Sequence, residues 1–353
     1  MKKPILPLLA LTLCAGSLAF GADAGAGFTH KDWELACDNT RTCRAAGYSA
    51  EDAALALAML LTRKAGPGEP VQADVMLGNY GDDDSSRLLP ASGKLTLRIN
   101  GRTHGQVAFS RESSVGRLSA PQAEAVLAVL PGKAEITLSA GTNQWALSDQ
   151  GAAAVLLKMD EIQGRVGTRG ALVKKGARDE SAVLPPLPAP VVIAVHTAKD
   201  APAELPASQL KALLAALRAS IGKDDYCPDL SAAENGPPDI TLHALGKHKL
   251  LASTPCWSGA YNIGHGYWVI NRSAPFAPVL VTASGSDYSG SAITAEHKGR
   301  GLGDCWSTDE WTWDGTRFIH TRAATTGMCR LIAPGGAWEL PRIVTEVRPA
   351  PRR

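Results

Sequence analysis

The stretch KLTLRINGRTHGQVAF, residues 94–109, decides the fold class. Leu95, Leu97 and Ile99 alternate with Lys94, Thr96 and Arg98, the period of a strand with one buried face. Asn100-Gly101 then supplies two residues that tolerate the positive φ of a type I′ turn, and His104 to Phe109 returns. Working outward, the chain repeats this grammar. In FTHKDWELACDNTRTCRAAGY (28–48), Trp33, Leu35 and Cys37 alternate with polar residues, Asp38-Asn39 starts a turn, and Cys43 opens the return strand. LALAMLLT (55–62) is a continuous apolar run that periodicity leaves open between buried strand and helix. Glu135 to Ser139 is a further strand.

Helices are the minority. Ser119 and Gln122 form a capping box before QAEAVLAVL, which ends near Pro131-Gly132. Asp149 stands where a cap would begin a helix to about Gln163, with Ala153, Leu156, Leu157 and Ile162 on one side. RDESAVLPPLPAP (178–190) is proline-rich and has no helical period, the composition of a stiff linker. After it come a strand from Val191 to Val195 and a helix from Pro206 to Ile221, with Leu210, Leu213, Leu214 and Leu217 on one face and Gly222 as the stop. Short strands follow, among them Val279–Ala283 and the tryptophan-rich hairpin Glu310–Phe318 with an Asp314-Gly315 turn. The reading is a β-rich α+β protein of two disulfide-braced domains, 28–177 and 191–350. Each is built of antiparallel strands with one or two helices.

The first 21 residues read as an export signal: Lys2 and Lys3, an apolar run from Ile5 to Phe20, and a small-x-small site at Ala19-Phe20-Gly21. Cys14 sits inside the apolar run behind Leu13, so it reads as part of the leader rather than as a lipid-anchor cysteine. No other segment approaches the roughly 20 apolar residues of a transmembrane helix. A periplasmic or secreted protein of a Gram-negative envelope follows. The chain has 36 Lys+Arg and 34 Asp+Glu; losing Lys2 and Lys3 with the leader leaves 34 of each. That neutrality argues against a nucleic-acid partner. Lys174-Lys175, Lys247-His248-Lys249, Lys298 with Arg300 and Arg352-Arg353 read as solvated surface, and Asp82-Asp83-Asp84 lacks the spaced ligands of a calcium loop.

Six cysteines remain after the leader: Cys37, Cys43, Cys227, Cys256, Cys305 and Cys329. They allow 15 pairings. Spacing favours the neighbours Cys37–Cys43, Cys227–Cys256 and Cys305–Cys329. Those would close loops of about 7, 30 and 25 residues, worth roughly 2.4, 3.6 and 3.5 kcal/mol in the chain-entropy picture. An oxidising compartment would preserve them. Neither the close spacing of zinc cysteines nor a Cys-x-x-Cys redox pair occurs, so no metal is expected.

No catalytic constellation emerges and no cofactor is implied. Ser286 and Ser291 lie in a Gly/Ser loop, not a nucleophile elbow. Gly299-x-Gly301-x-Gly303 lacks the lysine and helix of a phosphate loop and reads as a turn into Cys305. Adjacent Asp160 and Glu161 point different ways on a helix. Aromatics are the strongest functional hint: six of eight tryptophans lie between Trp257 and Trp338. Trp257, Tyr261, His265, Trp268, Trp311 and Trp313 are candidate ligand contacts, because flat rings stack on sugars or grip peptide side chains. The bland alternative is that these rings fill a small β core. Trp311 and Trp313, two apart on a strand, share a face under either reading.

Several segments together resemble the bacterial domain-of-unknown-function family 1176, exported proteins with six characteristic cysteines. They are DWELACDN (32–39) with TCRAAGY (42–48), MDE (159–161) with QGRVGT (163–168), CWSGAYN (256–262), GRGLGDC (299–305) and WTWDG (311–315). The chain departs from that pattern at Trp306, where glycine is expected. The N-terminal half is also distantly similar to the invasion-associated locus B family. The resemblance implies export and disulfides but brings no activity. A non-enzymatic binding or envelope-associated protein is the first expectation, its partner an envelope glycan or another periplasmic protein. An inhibitor or host-interaction protein is the alternative, and an envelope hydrolase using His265 the third.

Overall fold

The computed structural model describes residues 25–78, 80, 89–90, 93–196, 203–231 and 238–351. The export signal with Cys14, the Asp82–Asp84 run and the Arg352-Arg353 tail lie outside the described residues. The described N-terminal half runs β1 (Ala26–His30), β2 (Trp33–Cys37), β3 (Cys43–Tyr48), β4 (Leu57–Arg63), β5 (Val71–Leu77), β6 (Lys94–Ile99), β7 (Arg102–Ser110), β8 (Val115–Arg117), α1 (Ala120–Val129), β9 (Ile136–Ala140), β10 (Asn143–Leu147) and α2 (Ala152–Ile162). Its strands make one antiparallel sheet in the order β1-β2-β3-β4-β5-β8-β7-β6-β9-β10. The 94–109 hairpin turns at Asn100 (φ 48°) and Gly101 (φ 77°), the left-handed pair its sequence signals.

Leu57, Met59 and Leu61 of β4 pack under the helices with Val126, Leu130, Val155 and Met159. Its neighbour Ala58 faces the other way, into a second cluster with Ala36, Ala46, Tyr48, Ile332, Ala337 and Leu340. This strand is therefore covered on both faces, which is why its sequence reads as an unbroken apolar run. The cover on the second face comes from near the C-terminus of the chain. Helix α2 starts two residues later than its sequence suggests. Gly151 is its N-cap, and Asp149 instead accepts the Ala134 N–H at 2.9 Å.

The segment after α2 is held by buried charge. Asp160 is fully buried and accepts the Leu172 and Val173 N–H groups at 2.7 and 3.1 Å. Arg165, also fully buried, reaches Glu180 at 2.7 Å, Gln163 at 3.0 Å and the Gly66 carbonyl at 2.6 Å. The proline-rich stretch is thereby fastened to the N-terminal half. Arg41 donates to the Pro185 carbonyl and the Leu187 N–H to Thr40.

The C-terminal half continues with β11 (Val191–Ala194), α3 (Ala207–Ser220), α4 (Pro228–Ser231), β12 (Thr241–Ala244), β13 (Lys249–Ser258), β14 (Ile263–Asn271), β15 (Val279–Gly285), β16 (Asp287–Ser289), β17 (Ala292–Lys298), β18 (Trp306–Trp313), β19 (Phe318–Thr325), β20 (Leu340–Ile343) and β21 (Glu346–Pro349). It holds two antiparallel sheets, β12 to β15 and β16 to β20, each in sequence order. Leu251, Tyr267 and Val269 of the first sheet meet Tyr288, Ile293 and Trp313 of the second. On the first sheet's other side, Leu213, Leu217 and Leu230 of α3 and α4 cover Cys256, Trp268 and Ile270. A parallel pair, β11 with β21, ties the start of this half to its end.

Three disulfides join described residues: Cys37–Cys43 between the facing ends of β2 and β3, Cys227–Cys256 between the α4 lead-in and β13, and Cys305–Cys329 across the β18–β19 hairpin. None crosses from one half to the other.

Candidate functional site

The six candidate residues do not form one surface. Trp268 is fully buried against Cys256 under the helices, and Trp313 is buried between the two C-terminal sheets. Both are core, a correction to their reading as ligand contacts. On β14, alternation turns Trp268 toward the helices and Tyr267 toward the opposite sheet, leaving the indole no route to solvent. Trp311 is half-buried and packs on the same cluster as Trp313, its ring stacked at 4.7 Å on His320, which hydrogen-bonds Asp309 at 2.9 Å. His265 is half-buried and its Nδ1 has no hydrogen-bond partner. Trp257 is half-buried, donates to the Ala283 carbonyl at 3.1 Å and lies 5.3 Å from the His297 ring. Tyr261 is 47 % exposed.

Tyr261 leads to the glycine-rich loop 299–304, which sequence reasoning took for a plain turn. The β13–β14 hairpin tip grips this loop. Asn262 receives the Lys298 N–H and donates to the Lys298 carbonyl, both at 2.9 Å, so its amide imitates a strand neighbour. The Tyr261 ring faces Gly301, and its hydroxyl donates to the Gly299 carbonyl at 3.4 Å. Gly299 is required by the Cys305–Cys329 bridge: a Cβ there would stand 2.6 Å from Cys305 Sγ and 3.1 Å from Cys329 Sγ. Trp306, on the loop's other flank, donates to the Gly303 carbonyl at 3.0 Å beneath the Lys298 ammonium, 5.5 Å from its ring centre. Tyr261 and Trp306 thus bracket a loop from which Leu302 projects, 56 % exposed; Ile263 beside the tip is 57 % exposed.

Arg300 and Asp304 make a two-bond ion pair within the loop, at 2.8 and 2.6 Å, and Asp304 also accepts the Leu331 N–H at 2.8 Å. Burial pushes the Asp304 carboxyl up, but the Arg300 bond and the Leu331 N–H outweigh it and hold it below the usual carboxylate range. Asp304 Oδ and both sulfurs lie within 4.8 Å of one another, yet the sulfurs are bonded to each other and so are not thiolate ligands for a metal.

From Met328 to Ala337 the chain leaves the C-terminal sheets and docks on the N-terminal half, before β20 rejoins the second sheet. The Met328 N–H donates to Glu34 at 2.7 Å and Arg330 pairs with Asp32 at 2.8 Å. Asn39 exchanges two bonds with the Val344 backbone, at 2.8 and 3.0 Å. Where this segment crosses the β3–β4 connection, a cleft of about 340 Å³ opens between residues 49–56 on one side and Arg300 with residues 329–332 on the other. Tyr80 closes one end, its hydroxyl donating to the Leu302 carbonyl. Tyr80 and Arg330 were not singled out from sequence, where Arg300 read as solvated surface and Trp306 as a departure from the family pattern. Their contacts span up to 298 positions.

Fold and site define a disulfide-braced β protein whose two halves share a cleft. Three disulfides suit an oxidising compartment outside the cytosol. Among the described residues no helix is long and apolar enough to cross a membrane. A family model described as "Protein of unknown function (DUF1176)" matches residues 27–345, and the chain belongs to that family. It is similar to the uncharacterized protein YpfG of Escherichia coli (strain K12), 28 % identical, the match covering 93 % of this chain and 95 % of that protein. No solved structure matches.

Proposed function

We propose that the protein is an exported, periplasmic, non-enzymatic binding protein of the bacterial envelope, and that it holds an envelope glycan on the loop surface around Tyr261. The observation that carries this reading is the exposed Tyr261 ring, with Leu302 and Ile263 open to solvent beside it and Trp257 and Trp306 half-buried nearby. Large apolar side chains are rarely left clustered at a surface without a partner. Flat rings bury much area for little lost side-chain entropy, which suits stacking on sugar faces. The Asn262 clamp and the Cys305–Cys329 bridge keep the rings in place before binding, which lowers the ordering cost.

Retention of the oxidised mature protein on purified peptidoglycan and on a glycan array tests the reading. Tyr261→Ala and Trp257→Ala should each weaken retention about tenfold, or roughly 1.4 kcal/mol. Equal retention of both variants and the parent, or no retention at all, would sink it.

A further inference from the structure

Two hollows meet at the end of the β12–β15 sheet, where the β12–β13 turn lies beside the β14–β15 connection. The Arg272 N–H donates to the His248 carbonyl at 3.0 Å and joins the two loops. The first hollow, about 460 Å³, is lined by Lys247, His248, Asn271 and Arg272. Lys247, His248 and Arg272 are exposed, and among the described residues their side chains make no hydrogen bond or ion pair. The backbone beneath them is braced: Lys249 Nζ donates to Asn271 Oδ1 at 2.9 Å, and Asn271 Nδ2 donates to the Pro275 carbonyl at 2.7 Å. The second hollow, about 500 Å³, shares Ala274 and Pro275 with the first and is apolar. The α3 flank carrying Ala212, Ala216 and Ala219 forms one side, and Phe276 with Pro278 the other. Val279, next along the chain, is 64 % exposed. Among the described residues no carboxylate lines either hollow. Cations gathered without a carboxylate leave a positive field that favours an anion.

We propose that this face docks on an anionic phospholipid surface. The lipid phosphate sits among Lys247, His248 and Arg272, and the start of the acyl chain lies along the groove between α3 and Pro278. The two hollows share a wall, so a polar and an apolar receptor stand side by side, as the two parts of an amphiphile require. A soluble anion would use only the first. Arginine and lysine near an anionic leaflet attract it within a Debye length, which makes the attachment reversible and salt-sensitive. The surface is shallow and its apolar side chains are small, so the protein lies on the membrane rather than in it. Sequence shows Lys247-His248-Lys249 as an ordinary basic run. The fold adds Arg272 from another strand and sets the apolar groove beside them.

The probe is sedimentation of the oxidised mature protein with vesicles of equimolar phosphatidylglycerol and phosphatidylcholine, against vesicles of phosphatidylcholine alone. The protein should pellet with the first and stay in solution with the second. Lys247→Gln with Arg272→Gln should weaken partitioning about thirtyfold, since each cation near the surface contributes roughly fivefold. Lys174→Gln with Lys175→Gln removes the same charge elsewhere and should leave partitioning unchanged. Ala212→Glu, an exposed substitution in the middle of α3, puts a carboxylate into the apolar groove and should weaken binding at least about fivefold in a protein that melts like the parent. Tyr261→Ala should change nothing, which separates this face from the glycan surface. Inorganic phosphate, titrated calorimetrically at constant ionic strength, distinguishes a soluble anion from a lipid. Phosphate binding without vesicle binding, equal pelleting with both vesicles, equal losses in the two double variants, or undiminished binding by Ala212→Glu would each overturn the proposal.

Discussion

Tyr48→Phe removes one oxygen from the node that fastens the C-terminal segment to the N-terminal sheet. Tyr48 is fully buried, and its hydroxyl donates to Glu34 Oε1 at 2.7 Å. The Met328 N–H donates to the same carboxylate oxygen at 2.7 Å and approaches the Tyr48 hydroxyl at 3.1 Å. Phenylalanine keeps the ring packed among Ala36, Ala46 and Ala58, so little cavity forms. What is lost is a hydrogen bond to a charged group, worth about 1.5–3 kcal/mol, while Met328 keeps an acceptor. A loss near 2 kcal/mol is expected, read as a lower urea midpoint with an unchanged slope. The pH dependence follows from Glu34. Burial raises its pKa, against the Tyr48 bond, the Met328 bond and the Arg330 charge. A carboxyl raised in the folded state favours folding below its unfolded pKa and loses that advantage as pH rises through its folded pKa. The Tyr48 bond offsets this loss when Glu34 is ionised, so the deficit should be larger at pH 7 than near pH 4. A deficit below about 0.5 kcal/mol at pH 7, or one that grows toward acid, would refute the reasoning.

Asp304→Asn should cost about 2 kcal/mol at pH 7, less than the 3–5 kcal/mol of a fully buried pair because Arg300 is a third exposed. Since the folded pKa of Asp304 lies below its usual value, its contribution is present above about pH 4 and disappears as pH falls through the lower folded value. The parent should therefore lose stability more steeply than Asp304→Asn in acid melts below pH 4, and parallel curves would contradict this. Arg165→Met, at a fully buried site, removes the bonds to Gln163, Glu180 and the Gly66 carbonyl and leaves Arg63 as the remaining cation beside Glu180. It should lower the urea-derived stability by about 3–5 kcal/mol, and a loss under about 1 kcal/mol would mean the cluster is not formed.

Local elements were legible because their signals are local. The Asn100-Gly101 turn and the Ser119–Gln122 box stand in the structure as written in the chain. Residues 55–62 stayed open between strand and helix because β4 is buried on both faces and carries no period. Asp149 misled as a cap because its carboxylate serves Ala134, a partner outside the helix. Tryptophan density could not separate core from surface. Trp268 and Trp257, eleven positions apart, differ only in what the sheet puts over them. The proline-rich composition of 178–190 gave no sign that Glu180 is bonded to the buried Arg165. The cleft was invisible for a plainer reason: its walls come from three distant parts of the chain, and no spacing rule links Ala54 to Arg300 or Arg330.

The central claim is that the segment after Cys329 is built into the N-terminal half, so that one cleft belongs to both. Residue-resolved hydrogen exchange of the oxidised protein tests it most directly. The Met328 and Val344 amides lie outside any strand and donate to Glu34 and Asn39 of the N-terminal half. They should exchange as slowly as amides of β2 and β19. Exchange at the rate of an open loop, with those strands still protected, would contradict the account.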